Sequence, residues 1–73
     1  MSQPQAYDPE YGYKYQILCR NTSYDRAWEH CDYAKDNTEK KYLLSEYALA
    51  YRGQGFEFKT ILFPTKYWTE KSN

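Results

Sequence analysis

The sequence predicts an α+β fold, a small antiparallel sheet with one helix packed on one face, in the order strand, strand, helix, strand. Three observations predict it. Tyr13, Tyr15, Ile17 and Cys19 alternate with Lys14, Gln16 and Arg20, which is the period of a half-buried strand. Leu43, Leu44, Tyr47, Ala48 and Tyr51 recur at helical spacing. A second alternating run, Phe56, Phe58, Thr60 and Leu62 against Glu57, Lys59, Ile61 and Phe63, is closed by Pro64.

Residues 1–12 carry two prolines, two glutamines, Asp8 and Glu10 without apolar periodicity, and read as a flexible N-terminal arm with Tyr7 and Tyr11 as its sticky points. A single domain covers 13–64. Its first strand runs from Tyr13 to Arg20, with Leu18 the one apolar residue on the polar side, and the turn chemistry of Asn21, Thr22, Ser23 and Asp25 follows. The stretch from Arg26 to Asp36 is ambiguous. Tyr24, Ala27, Trp28, Cys31 and Ala34 sit at near-helical spacing, yet a lone pair of strands would be marginal, so a hairpin ending at Ala34 is the expected solution. As a strand it sets Ala27, Glu29, Cys31 and Tyr33 on one face and Trp28, His30, Asp32 and Ala34 on the other.

The helix is expected over Thr38 to Arg52, with Asn37 or Thr38 as N-cap, Glu39 in the first turn and Gly53 as the stop. One helix covers one sheet face. The second face, with some of Leu18, Trp28, Ile61 and Phe63, is exposed unless the termini fold over it. Residues 65–73 form a basic, aromatic C-terminal tail, either a clamp on that face or a recognition arm.

Length and charge narrow the function. A chain of 73 residues buries only about 60% of its unfolded surface, which leaves little room for a deep enclosed pocket. Ten basic residues balance ten acidic ones, so the charge excess of a histone-like DNA binder or an acidic DNA mimic is missing. No apolar run approaches the roughly 20 residues of a membrane span, and the N-terminus lacks the pattern of a signal peptide. The expectation is a cytoplasmic protein with no membrane partner.

Chemical motifs are weak. Cys19 and Cys31 match neither a CxxC pair nor a zinc knuckle and read as reduced, small hydrophobic residues. His30 and Cys31 are adjacent, so they diverge on either a strand or a helix and make a poor base and nucleophile. Asn21-Thr22-Ser23 reads as a polar turn, and Gly53-Gln54-Gly55 as a helix stop rather than a phosphate loop. The acidic run Asp25, Glu29, Asp32, Asp36 and Glu39 is interrupted by Arg26 and Lys35 and reads as solvated surface. No catalytic residue, metal ligand or cofactor is expected.

Ten tyrosines in 73 residues are the most unusual feature. Tyr13-Lys14-Tyr15 and Lys66-Tyr67-Trp68 have the aromatic and basic pattern of a single-stranded nucleic-acid binder, but no ribonucleoprotein-type motif is present. Tyrosine and tryptophan serve equally as anchors in protein interfaces, with no need for excess positive charge. The expected anchors are Trp28, Arg52, Lys66, Tyr67 and Trp68.

The run from Tyr42 to Tyr51, followed by Gly53, Gly55 and Phe56-Glu57-Phe58-Lys59, resembles small early proteins of tailed bacteriophages. The layout over about residues 26–64 is similar to a phage inhibitor of bacterial RNA polymerase, built as strand, strand, helix, strand, whose helix is more acidic than this one with Lys40 and Lys41. The resemblance implies a non-catalytic, phage-encoded regulator that binds host RNA polymerase and alters transcription by steric occupation. The alternatives are a single-stranded nucleic-acid-binding module and an inhibitor of another host system such as a CRISPR complex.

Overall fold

In a computed structural model, residues 7–22 and 27–70 are described. The chain runs β1 (Tyr15–Asn21), β2 (Glu29–Ala34), α1 (Asn37–Ala50), β3 (Phe56–Leu62) and a 3₁₀ turn (Thr65–Tyr67). The strands form an antiparallel sheet in the order β2-β1-β3, so the first strand lies between the other two. The expected α+β architecture is the one observed. The strand alternative for the ambiguous segment is realised in Glu29–Ala34, while Ser23, Tyr24, Asp25 and Arg26 lie outside the described residues.

Register sorts the side chains onto two sides. Cys19 of β1 stands opposite Phe58 of β3, and Phe58 stacks with Tyr47 of α1, which identifies Tyr15, Ile17 and Cys19 as the side beneath the helix. Gln16, Leu18 and Arg20 therefore point to the other side. Tyr13 precedes β1 and leaves the alternation expected for it, stacking instead on Tyr33 with ring centroids 5.2 Å apart.

Strand β2 does not keep a simple alternation either. Ile17 faces Asp32 but Leu18 faces His30, so Cys31 is an extra residue in a bulge. Asp32 thereby stands with Ile17 on the helix side, Cys31 lies against Cys19 and Tyr47, and His30 stays on the opposite side beside Gln16. The strict two-face division expected for residues 27–34 is corrected by that single inserted residue.

Helix α1 is capped by Asp36 rather than by Asn37 or Thr38, and it ends at Ala50 rather than Arg52. Asp36 is the N-cap, its Oδ1 accepting from the Glu39 N–H at 2.8 Å, and Glu39 accepts from the Lys35 N–H at 2.7 Å. The first bond satisfies an orphan donor of the first turn, the second ties Glu39 back to the residue before the cap, and Glu39 adds a negative charge at the positive end of the dipole. At the other end Gly53 takes φ +77°, a conformation that would strain a residue with a Cβ.

On the side away from the helix, the chain ends cover the Tyr15 end of the sheet. Asp8 donates its backbone N–H to Gln16 Oε1 at 3.0 Å, the Tyr33 hydroxyl donates to the Asp8 carbonyl, and Gly12 N–H reaches the Tyr67 carbonyl at 2.9 Å. Phe63 packs edge-on to Tyr7 and against Tyr33 and Tyr67. Residues 7–12, read from the sequence as part of a flexible arm, thus make ordered contacts here; the arm's first six residues lie outside the described ones. Among the described residues the fully buried set is Ile17, Leu18, Ala34 and Phe63 with one polar member, Gln16.

Candidate partner-binding surface

Of the five anchors expected from the sequence, the structure engages two in holding the chain ends down. Trp68 donates its indole Nε1–H to the Phe63 carbonyl at 2.8 Å, and Lys14 Nζ lies 4.8 Å from its ring centroid. Tyr67 packs on Tyr11 and Phe63, and its carbonyl receives the Gly12 N–H. The tail is held against the domain through Tyr67 and Trp68. Lys66 is exposed, with Nζ 5.1 Å from the Tyr67 ring centroid, and Arg52 is exposed just after the helix.

Trp28 has different surroundings. It enters β2 on the side away from the helix, at the end of the sheet opposite to the one where residues 7–12 and 63–68 make their bonds. Arg20 of β1 and Lys59 of β3 converge on it, with the guanidinium carbon 4.8 Å and the ammonium 4.6 Å from the indole centroid. Both cations sit on positions that alternation sends to this side, Lys59 being opposite Leu18. Arg20 also donates its Nε–H to Glu57 Oε1 at 2.7 Å. Glu57, Arg20, Trp28 and Lys59 therefore form one connected surface patch with a net positive charge of one (two cations, one carboxylate).

The sequence reading selected Trp28 but missed Arg20 and Lys59. Their signal was present, since both are cations on the polar face of an alternating strand; what was missing was the strand order that sets β1 and β3 side by side. Trp28 and the Lys66-Tyr67-Trp68 segment do not form one surface. The first lies toward the Asn21 end of β1 and the second toward its Tyr15 end, where Phe63 N–H donates to the Lys14 carbonyl.

Beneath the helix the titratable groups share one tendency. Burial, together with Cys19 and Asp32, pushes the Cys31 thiol up to about 12, and burial also raises Cys19. The Tyr47 hydroxyl, which donates to Asp32 Oδ2 at 2.8 Å, is raised by that bond and by burial. Such thiols are held protonated, opposite to what a thiolate nucleophile needs. His30, on the other side of the sheet, donates nothing to Cys31; its Nδ1 lies 3.0 Å from Gln16 Nε2. Among the described residues no group of three or more His, Cys, Asp and Glu side chains is placed to hold a metal ion, and no helix is long and apolar enough to cross a membrane.

Comparison with protein-family models, with curated proteins and with solved structures finds no match to this chain.

Proposed function

We propose that this chain is a small non-enzymatic regulator that binds a partner protein through the Trp28 patch, with bacterial RNA polymerase as the first target and steric occupation as the mechanism. The observation that supports it is the convergence of Arg20 and Lys59 on the Trp28 indole. Tryptophan and arginine commonly dominate binding energy in protein interfaces, the indole because it buries a large rigid surface at small entropic cost and the guanidinium because its planar fork makes several bonds at once. The ammonium of Lys59 complements an acidic surface and steers encounter with it. RNA polymerase is chosen on the phage-protein resemblance of the Tyr42 to Lys59 segment.

The test is binding of the tagged chain to purified polymerase, beside recovery of polymerase subunits from bacterial lysate with and without nuclease. Nuclease-resistant recovery that falls at least tenfold with Trp28→Ala, while the thermal melt of the variant is little changed, supports the reading. Equal recovery by Trp28→Ala, or no binding to the purified enzyme, overturns it. The same indole and cations also suit a base and its phosphate, which is the reading of a single-stranded nucleic-acid module. That alternative requires affinity for a labelled oligonucleotide that falls steeply with salt as counterions are released.

A further inference from the structure

The free edge of β3 carries a pattern that fits a second copy of this chain. Two bonds fix which backbone groups are used internally: the Phe63 N–H donates to the Lys14 carbonyl and the Thr22 N–H to the Gly55 carbonyl, both at 2.8 Å. The β1–β3 register between them is unbroken. Antiparallel ladders alternate, so Glu57, Lys59 and Ile61 spend their N–H and C=O groups on β1, whereas Phe56, Phe58, Thr60 and Leu62 aim theirs outward. Among the described residues no strand lies beyond them. The opposite edge, β2, is shorter and interrupted by the Cys31 bulge, which makes it the poorer template.

We infer that two chains pair antiparallel along β3 about a two-fold axis at Phe58, joining two three-stranded sheets into one of six strands. The charges on the strand select this register. With Phe58 opposite its own copy, Glu57 of each chain stands opposite Lys59 of the other, twice, on the side away from the helix. Moving the axis to Lys59 would oppose two ammonium groups, and moving it to Glu57 would oppose two carboxylates. In the chosen register Phe56 and Thr60 exchange backbone bonds with Thr60 and Phe56 of the second copy, and Phe58 meets its own copy on the helix side. The arrangement is self-complementary, as a two-fold interface must be. It also sets both Trp28 patches on the same side of the joined sheet.

Sedimentation velocity over a concentration series, without any other partner, tests this. The wild-type chain is expected to shift from monomer to dimer as concentration rises. Lys59→Glu alone and Glu57→Lys alone each oppose like charges at both contacts, and each should weaken self-association by about tenfold or more. Mixing these two variants restores opposite charges at both contacts, so a heterodimer should reappear. Thr60→Pro removes an outward N–H without touching the β1 ladder and should also give a monomer, with circular dichroism reporting whether its fold is kept. A wild-type chain that stays monomeric overturns the inference, as do single variants that dimerise like wild type or a mixture that stays monomeric beside a dimeric wild type.

Discussion

The two sides of the sheet solve the same problem with different material. Under the helix, Ile17 and Ala34 are fully buried, yet no residue of α1 itself is; the helix lies on the sheet through Tyr47, Tyr51 and their contacts to Phe56 and Phe58. On the other side Leu18, Gln16 and Phe63 are buried completely, and segments with almost no regular secondary structure pack on Gln16 and Phe63. Regularity and burial are separate properties here. A helix satisfies its own backbone and can rest lightly on a surface, whereas an irregular strap is held only by what its side chains and backbone bond to.

The largest difference should appear on truncation. Phe63→Ala removes the ring that Tyr7, Tyr33 and Tyr67 pack against and is expected to cost about 3–5 kcal/mol, enough to unfold much of a domain this small. Leu43→Ala in the half-buried helix face should cost on the order of 1 kcal/mol. Thermal melts of the pair decide the matter: equal losses would mean that the helix side carries as much as the straps.

Trp68 is next. Trp68→Ala should cost roughly 2–3 kcal/mol through lost packing and the lost bond to the Phe63 carbonyl, while Trp68→Phe keeps much of the packing and should cost about 1 kcal/mol. A Trp68→Ala chain with an unchanged melt would return that side chain to the list of free anchors. Gln16→Leu removes the acceptor for the Asp8 N–H and is expected to cost about 1–3 kcal/mol. Faster hydrogen exchange at the Asp8 amide, with β1 amides still protected, would locate the loss in the strap.

Alkali should act first on the helix side. Cys31, Cys19 and Tyr47 hold their protons more tightly when folded, so their contribution is complete below the unfolded values, 9.0 for the thiols and 10.0 for the phenol. It is lost as pH rises, with the Cys31 share disappearing between 9.0 and about 12. Cys31→Ser should flatten the fall in denaturant midpoint over that range; a profile identical to wild type would assign the fall elsewhere, Tyr33 being the strap-side group that is also raised. The smallest effect belongs to Glu57→Gln. Both partners of the Arg20 pair are well exposed, so stability should change by less than about 1 kcal/mol.

Much of the sheet was legible because alternation is a local property. Tyr15, Ile17 and Cys19, and Phe56 and Phe58, fall on the face their spacing predicts, and of the expected stripe of α1 Leu43, Leu44 and Tyr47 are half-buried while Ala48 and Tyr51 are exposed. The Cys31 bulge was not legible, since an inserted residue leaves the sequence pattern intact and shows only in the partner strand's register. Gln16 was hidden for another reason. Its burial is created by Asp8 and His30, eight and fourteen positions away, and a polar residue on an alternating strand otherwise reads as solvent-facing. Trp28 was legible as an anchor, but Arg20 and Lys59 beside it depend on strand order, which one sequence does not encode locally.

The contact between Gly12 and Tyr67 has a mechanical consequence. The chain enters β1 and leaves β3 at the same end of the sheet, because Tyr15 stands opposite Leu62. Tension applied to the two ends would first strip the straps and would then open the β1–β3 ladder one rung at a time, like a zipper, instead of loading all rungs together in shear. A machine that feeds on a terminus, such as an unfoldase, would therefore meet little resistance once Phe63 is pulled free, and the lifetime of this protein against it is set by the straps rather than by the sheet.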